Sequence, residues 1–110
     1  DYSALSTIVG WSSFTSKVFS YLKIGKLVFV IFNFDGTSNA ITVTATLPFS
    51  ASGALLDLAT ARDNGGALTP CRIQISGATL TVYPNMTAAA DGWTNSGTKL
   101  ARGHFFYFTS

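Results

Sequence analysis

Charged residues, sulfur and long apolar runs are all scarce in this sequence of 110 residues. Charged residues make up 11% of the chain and Glu is absent, whereas about 25% is usual for a globular domain. The seven basic residues never stand side by side, so the clustered charge of nucleic-acid binders is missing and no nucleic-acid partner is expected. Cys71 has no second cysteine for an intrachain disulfide or a structural zinc site. We predict that it is a small buried hydrophobic residue.

The apolar runs are far shorter than the about 20 residues that a membrane helix requires, and membrane insertion is therefore not expected. The N-terminal segment lacks the basic and apolar regions of a secretory signal peptide. The chain begins with Asp1 rather than Met, and we expect it to be a piece of a longer protein whose upstream part is missing.

Thr, Val, Phe, Ile and Gly are abundant in the chain, and this composition favours strands over helices. The fold class predicted is all-β. The spacing of short strands and turn signals is typical of an antiparallel β-sandwich or barrel. We expect a single domain over residues 1–110, with residues 1–16 as a lead-in from an upstream segment. The strands are predicted at 17–23, 26–35, 40–47, 54–62, 71–76, 79–84 and 98–109. Turns are predicted at Gly25, at Asp35–Asn39, at Asp63–Gly66 and at Gly77.

Catalytic chemistry has little support in the sequence. General acid–base catalysis needs paired carboxylates, or a histidine beside one, whereas the five Asp residues are scattered and mostly fall in turn sequences. Asp57 is the exception, because it lies in an apolar strand. His104 has no second histidine at metal-ligand spacing and is predicted to be hydrogen-bonded in or beside the core. We therefore expect no catalytic residue, no metal, no cofactor and no enzymatic activity.

The long connection before the last strand carries the residue types of a sugar site. An exposed aromatic ring flanked by Asp and Asn provides an apolar platform with hydrogen-bonding groups at its rim. The alternative is that Trp93 only plugs one end of the fold. The candidate ligand-binding residues are Tyr83, Asn85, Met86, Asp91, Trp93 and Asn95.

The stretch LVFVIFNF, residues 27–34, is apolar on both faces of a strand, with Asn33 as its one polar residue. The last strand shows a similar pattern. A single β-sandwich has one core between its sheets, so the second apolar face would be exposed, and large exposed patches mark interaction surfaces. We predict an intersubunit interface there, although parity alone leaves open which face of the stretch is the core. The interface candidates are Leu27, Phe29, Ile31, Phe105 and Tyr107.

From Trp11 to Phe108 the sequence resembles the C-terminal head domains of phage tail fibres and related receptor-binding proteins. The similarity consists of an early Trp, an aromatic-x-Tyr-x-Lys-x-Gly pattern, a Gly-Thr-Ser turn, an LPF sequence and a late GWTNSGTK sequence before an aromatic strand. The matching residues are Trp11, Tyr21, Lys23, Gly25, Gly36, Thr37, Ser38, Leu47, Pro48, Phe49, Trp93, Ser96, Gly97 and Tyr107.

The resemblance implies a jelly-roll-like β-sandwich that assembles as a homotrimer at the tip of a fibre in the virion. It also implies binding to a host-surface glycan or protein without catalysis. Three other interpretations stay open. The first is a purely structural virion part, such as a head fibre, a baseplate spacer or a trimerisation cap. The others are a cellular C1q-like or lectin-like module and, last, a glycan-degrading enzyme.

Overall fold

The computed structural model describes residues 1–2 and 4–110, and its described part is an all-β fold without a helix. The all-β prediction is therefore confirmed. Eight antiparallel strands form one continuous sheet in the order β1-β4-β7-β6-β5-β8-β3-β2. The strands are β1 Ile8–Val9, β2 Trp11–Ile24, β3 Leu27–Ser38, β4 Val43–Thr46, β5 Leu55–Asp63, β6 Thr69–Ser76, β7 Thr79–Val82 and β8 Thr98–Phe108.

The sheet is nearly closed into a barrel, because its two edge strands are consecutive in the chain. Only Gly10 separates β1 from β2, and its φ of 130° lies where L side chains are rarely found. A side chain at Gly10 would also meet the Thr42 carbonyl oxygen at 3.0 Å. The two-sheet sandwich expected from the sequence is not shown, since hydrogen-bonded pairing runs from β1 to β2 without a break.

Three turn predictions are confirmed by the backbone. Gly25 turns β2 into β3 and Gly77 turns β6 into β7, both with positive φ. The sequence Asp63–Gly66 forms the β5–β6 hairpin, in which Asn64 and Gly65 have φ of 52° and 75°. Positive φ at both central residues matches the right-handed twist of the strands that such a turn connects.

Two expected boundaries are wrong. Residues 35–38 continue β3 instead of turning, because β2 pairs with them through bulges between Trp11 and Ser13 and between Phe14 and Ser16. A bulge lets a strand bend without losing its partner. The expected lead-in also contributes β1 and the first part of β2. Sequence signals for a turn and a loop were thus overridden by pairing with a distant strand.

The core fills the inside of the curved sheet. On β3 the inward side chains are Val28, Val30, Phe32 and Phe34, and all four are buried. Cys71 is buried as predicted, and burial raises the pKa of its thiol to about 11. The sequence left open which face of β3 is the core, and the structure decides it: Leu27, Phe29 and Ile31 point out of the core.

Candidate functional site

The predicted sugar site in the loop of residues 83–97 lacks its aromatic platform. Trp93 is only 2% exposed and belongs to the core. Its indole Nε1 donates to the Val82 carbonyl oxygen at 2.9 Å. The expectation that Trp93 contacts a ligand is therefore wrong, and the alternative, that it plugs one end of the fold, describes its position.

Tyr83 and Asn85 shape the loop. The Arg72 guanidinium lies 4.2 Å from the centroid of the Tyr83 ring, and the Tyr83 hydroxyl donates to Gln74 Oε1 at 3.2 Å. Asn85 Oδ1 accepts from the backbone amides of Thr87 and Ala88 at 2.9 and 2.8 Å, which is the local turn geometry that Asn favours. Both side chains already use polar groups in contacts within the chain.

The other three loop candidates, Met86, Asp91 and Asn95, are exposed. Met86 lines a small cleft of about 270 Å³ together with residues of β5 and β6. The loop thus offers single exposed side chains, and the structure does not gather the six candidates around one cavity.

Lys99 is a buried cation at the end of the barrel and was not singled out by the sequence. Its Nζ donates to the carbonyl oxygens of Gly10 and Ala40 at 3.2 and 2.7 Å. It also lies 5.7 and 5.1 Å from the ring centroids of Trp11 and Trp93. Desolvation lowers the pKa of Lys99 to about 8, and nearby Asp63 partly offsets this by raising it. These contacts hold β8 against the residue that joins β1 to β2 and against the connection between β3 and β4.

The pKa of Lys99 predicts a stability that increases with pH between pH 8 and pH 9. In that range the unfolded chain, with a lysine pKa of 10.5, binds more protons than the folded chain, so raising the pH favours folding. The expected gain is about 1 kcal/mol. From about pH 8 upward the raised pKa of Cys71 begins to act in the opposite direction, because the unfolded thiol, with a pKa of 9.0, loses its proton first.

Urea denaturation at pH 8 and pH 9 measures this gain, and Lys99→Met should abolish it while keeping the length of the side chain. An equal pH dependence in both proteins would show that Lys99 is not the group responsible.

An apolar surface covers the outside of β2, β3 and β8. In the pairing register Leu22 lies opposite Phe29, and Phe29 lies opposite Phe106, so the apolar rows cross all three strands. None of the members carries a charge, and five of the seven are at least half exposed. We call this surface the outer apolar face: Leu22, Ile24, Leu27, Phe29, Ile31, Phe106 and Phe108.

Two predicted interface residues belong elsewhere. Phe105 and Tyr107 are each 1% exposed and lie in the core, because they pair with the inward-facing Val30 and Val28. Their neighbours Phe106 and Phe108 take the outward positions on β8. His104 also differs from its predicted place in or beside the core: it is exposed on the outer surface and stacks on Phe29 with a centroid distance of 5.9 Å.

A cleft of about 790 Å³ opens in the barrel wall between β5 and β8. In the described part of the chain, these strands pair only from Thr60 to Asp63 against Lys99 to Arg102. Beyond that point they separate, and at the far end of the gap Ser52, which precedes β5, donates its backbone amide to the Phe108 carbonyl oxygen at 2.8 Å. Gly103 is still close to β5, because a side chain there would come within 2.9 Å of Ala59 Cβ, so the strands separate beyond this residue.

The cleft combines polar groups with apolar walls. Its polar side chains differ in kind: Asn33 supplies an amide, Asp57 a carboxylate, Thr60 a hydroxyl, Arg102 a guanidinium and His104 an imidazole. Concave sites with an apolar lining and a few convergent polar groups are the usual form of small-ligand sites. We call this site, formed by residues 31–33, 57–60 and 102–106, the β5–β8 cleft.

Sequence reasoning missed the cleft because its residues come from three separate strands. Asn33 was noticeable as the one polar residue of the apolar stretch, and Asp57 as a carboxylate in an apolar strand. Nothing in the sequence indicated that β5 and β8 would be neighbours, or that their pairing would stop at Arg102.

The described residues contain no helix long and apolar enough to cross a membrane. Nor do they hold a group of three or more His, Cys, Asp or Glu side chains that could bind a metal. Searches against protein-family models, curated proteins and solved structures gave no match to this chain.

Proposed function

We propose that this chain is the tip domain of a phage tail fibre, located at the end of the fibre in the virion, where it binds a host-surface receptor of the glycan class. The observation that carries the proposal is the outer apolar face. The resemblance of the sequence from Trp11 to Phe108 to phage head domains supports it, and the trimeric, jelly-roll-like organisation of those domains is part of the proposal. No chemical reaction is assigned to the chain.

A second copy of the chain is the occupant we propose for the outer apolar face. The face carries no charge that a charged partner could complement, whereas apolar surfaces of identical chains can cover one another. Burial of apolar area stabilises association by about 25 cal/mol per Å², before the costs of association. Symmetric packing about an axis closes the assembly and leaves no apolar face exposed.

A purely structural virion part is the second candidate. It is favoured by the positions of Tyr83, Asn85 and Trp93, whose polar groups are used within the chain. Such a part would share the outer apolar face and the assembly but would bind no receptor.

Self-association predicts a measurable mass. Static light scattering at micromolar concentration should give three times the chain mass of 11.6 kDa, because the exposed apolar face favours assembly and the head domains that the sequence resembles are trimers. A stable, soluble monomer under these conditions would contradict the proposed assembly.

Receptor binding is tested with fluorescently labelled protein on a panel of bacterial strains. We expect saturable binding to host cells and loss of binding after periodate oxidation of the cell surface, which destroys glycans. An assembled protein that binds no strain would favour the purely structural function.

A further inference from the structure

We infer that the β5–β8 cleft, and not the loop of residues 83–97, is the ligand site, and that it takes a neutral sugar ring. The inference rests on the proposed function and identifies its site and the chemical class of its ligand. Three features carry it: two strand edges without a neighbouring strand, a buried acceptor without a donor, and walls that suit the apolar face of a sugar.

The backbone on both sides of the cleft offers hydrogen bonds. Within the described chain, residues 55–59 of β5 pair only with β6, and residues 103–107 of β8 pair only with β3. Every second residue of each strand therefore directs both its amide and its carbonyl group toward the cleft. Sugar hydroxyls both donate and accept, so one ligand can satisfy both kinds of group along the two edges.

Asp57 modifies one of these edges. Its Oδ1 accepts from the Leu58 backbone amide at 2.8 Å, and this amide belongs to the next residue along the same strand. Side chains that cover strand edges reduce pairing with a foreign strand. The contact makes the β5 edge less suited to an inserted polypeptide strand, while the second carboxylate oxygen stays available to a hydroxyl.

Asn33 supplies the acceptor. Among the described residues it is one of four with a buried side-chain polar atom that lacks a hydrogen-bond partner, and that atom is Oδ1. Buried acceptors are nearly always satisfied by a partner, and one that is not calls for a ligand or a water. Asn33 lies opposite Arg102 in the β3–β8 register, so an acceptor and a strong donor stand side by side at the cleft.

The charges and walls favour a neutral ring. Arg102 and Asp57 contribute opposite charges, which leaves no net attraction for an anion. Ile31, Leu58 and Phe106 form apolar walls, against which the C–H face of a sugar can pack. The volume of about 790 Å³ lies within the range of about 300–1,000 Å³ common for ligand sites.

Assembly would complete the site. Ile31 and Phe106 belong both to the cleft and to the outer apolar face, and β8 forms the border between them. A second copy packed on the face would therefore cover part of both side chains and itself form part of that wall of the cleft.

The test compares two asparagines in the assembled protein. Asn33→Ala should weaken binding to an array of bacterial surface oligosaccharides about tenfold, the loss expected for one hydrogen bond to the ligand. Asn95→Ala removes the same group from the exposed loop and should leave binding within about twofold, since surface groups away from a site contribute little. Thr60→Val is a second, near-isosteric cleft variant, and thermal unfolding verifies that all three proteins are folded.

The possible results distinguish the inference about the cleft from the proposed function. Unchanged binding in Asn33→Ala and Thr60→Val, whether or not Asn95→Ala loses binding, would overturn the cleft assignment and leave the proposed function standing. Binding to acidic glycans alone would overturn the neutral sugar. Binding to cells that resists periodate but is lost after protease treatment would indicate a polypeptide ligand and overturn the sugar class. Failure to bind any array glycan or any cell would overturn the proposed function, and the inference with it.

Discussion

Leu22→Asp is expected to convert the assembled protein into a folded monomer. Leu22 is 61% exposed in the single chain and lies in the middle row of the outer apolar face, opposite Phe29. A carboxylate there is hydrated in the monomer, so folding should change little. Burial of that carboxylate in an interface without a partner costs several kcal/mol, and about 1.4 kcal/mol is a tenfold change in affinity. The dissociation constant should therefore rise at least about 100-fold.

Light scattering and near-ultraviolet circular dichroism together measure the assembly and the fold of the variant. Leu68→Asp is the matched control, because Leu68 is 45% exposed but lies in the β5–β6 hairpin, away from the outer apolar face. It should leave the mass unchanged. Val30→Asp places the same charge on the buried side of β3 and should unfold the chain. A Leu22→Asp protein that keeps the mass of the wild type would show that the outer apolar face is not the interface.

Gly36→Ala is expected to destabilise or unfold the protein. Gly36 is buried in β3, directly under the bulged part of β2. A Cβ there would overlap the Ser13 carbonyl oxygen and come within 2.9 Å of Phe14 Cα. Both are backbone atoms held by pairing, so neither can move without disrupting β2. We expect a loss of at least about 3 kcal/mol in the free energy of unfolding, at the upper end of overpacking effects.

Urea denaturation measures this loss, and Gly53→Ala is its control. A Cβ at Gly53 would meet nothing within 4 Å, so that change should alter stability by no more than about 0.5 kcal/mol. Similar midpoints for the two variants would mean that β2 does not cross Gly36 as closely as described here.

Local patterns predicted much of the fold correctly. Alternation and β-branched residues indicated the strands from β5 to β8, and the Asn-Gly pair indicated the hairpin between β5 and β6. These predictions succeed because they depend on neighbours within a few residues, where side-chain parity and backbone preference act directly. The prediction failed at residues 35–38, where Gly36 resembles a turn residue but serves a close approach between two strands.

The two apolar faces of β3 were visible in the sequence, but their assignment was not. A period of two separates the faces of a strand without saying which one is the core. On β8 the prediction chose Phe105 and Tyr107 for the outside, whereas their register opposite Val30 and Val28 places them inside. Register is a relation between two distant segments, so a single strand cannot reveal it.

The sequence by itself determined the strand content, the principal hairpin turns and the excess of apolar surface over what one core can bury. Only the tertiary structure decided which face is exposed, that Trp93 is buried beside Lys99, and that β5 and β8 separate to leave a cleft beside Asn33. The physical reason is that strand identity follows from local preferences, whereas sheet order, register and gaps in pairing follow from contacts between residues far apart in the chain.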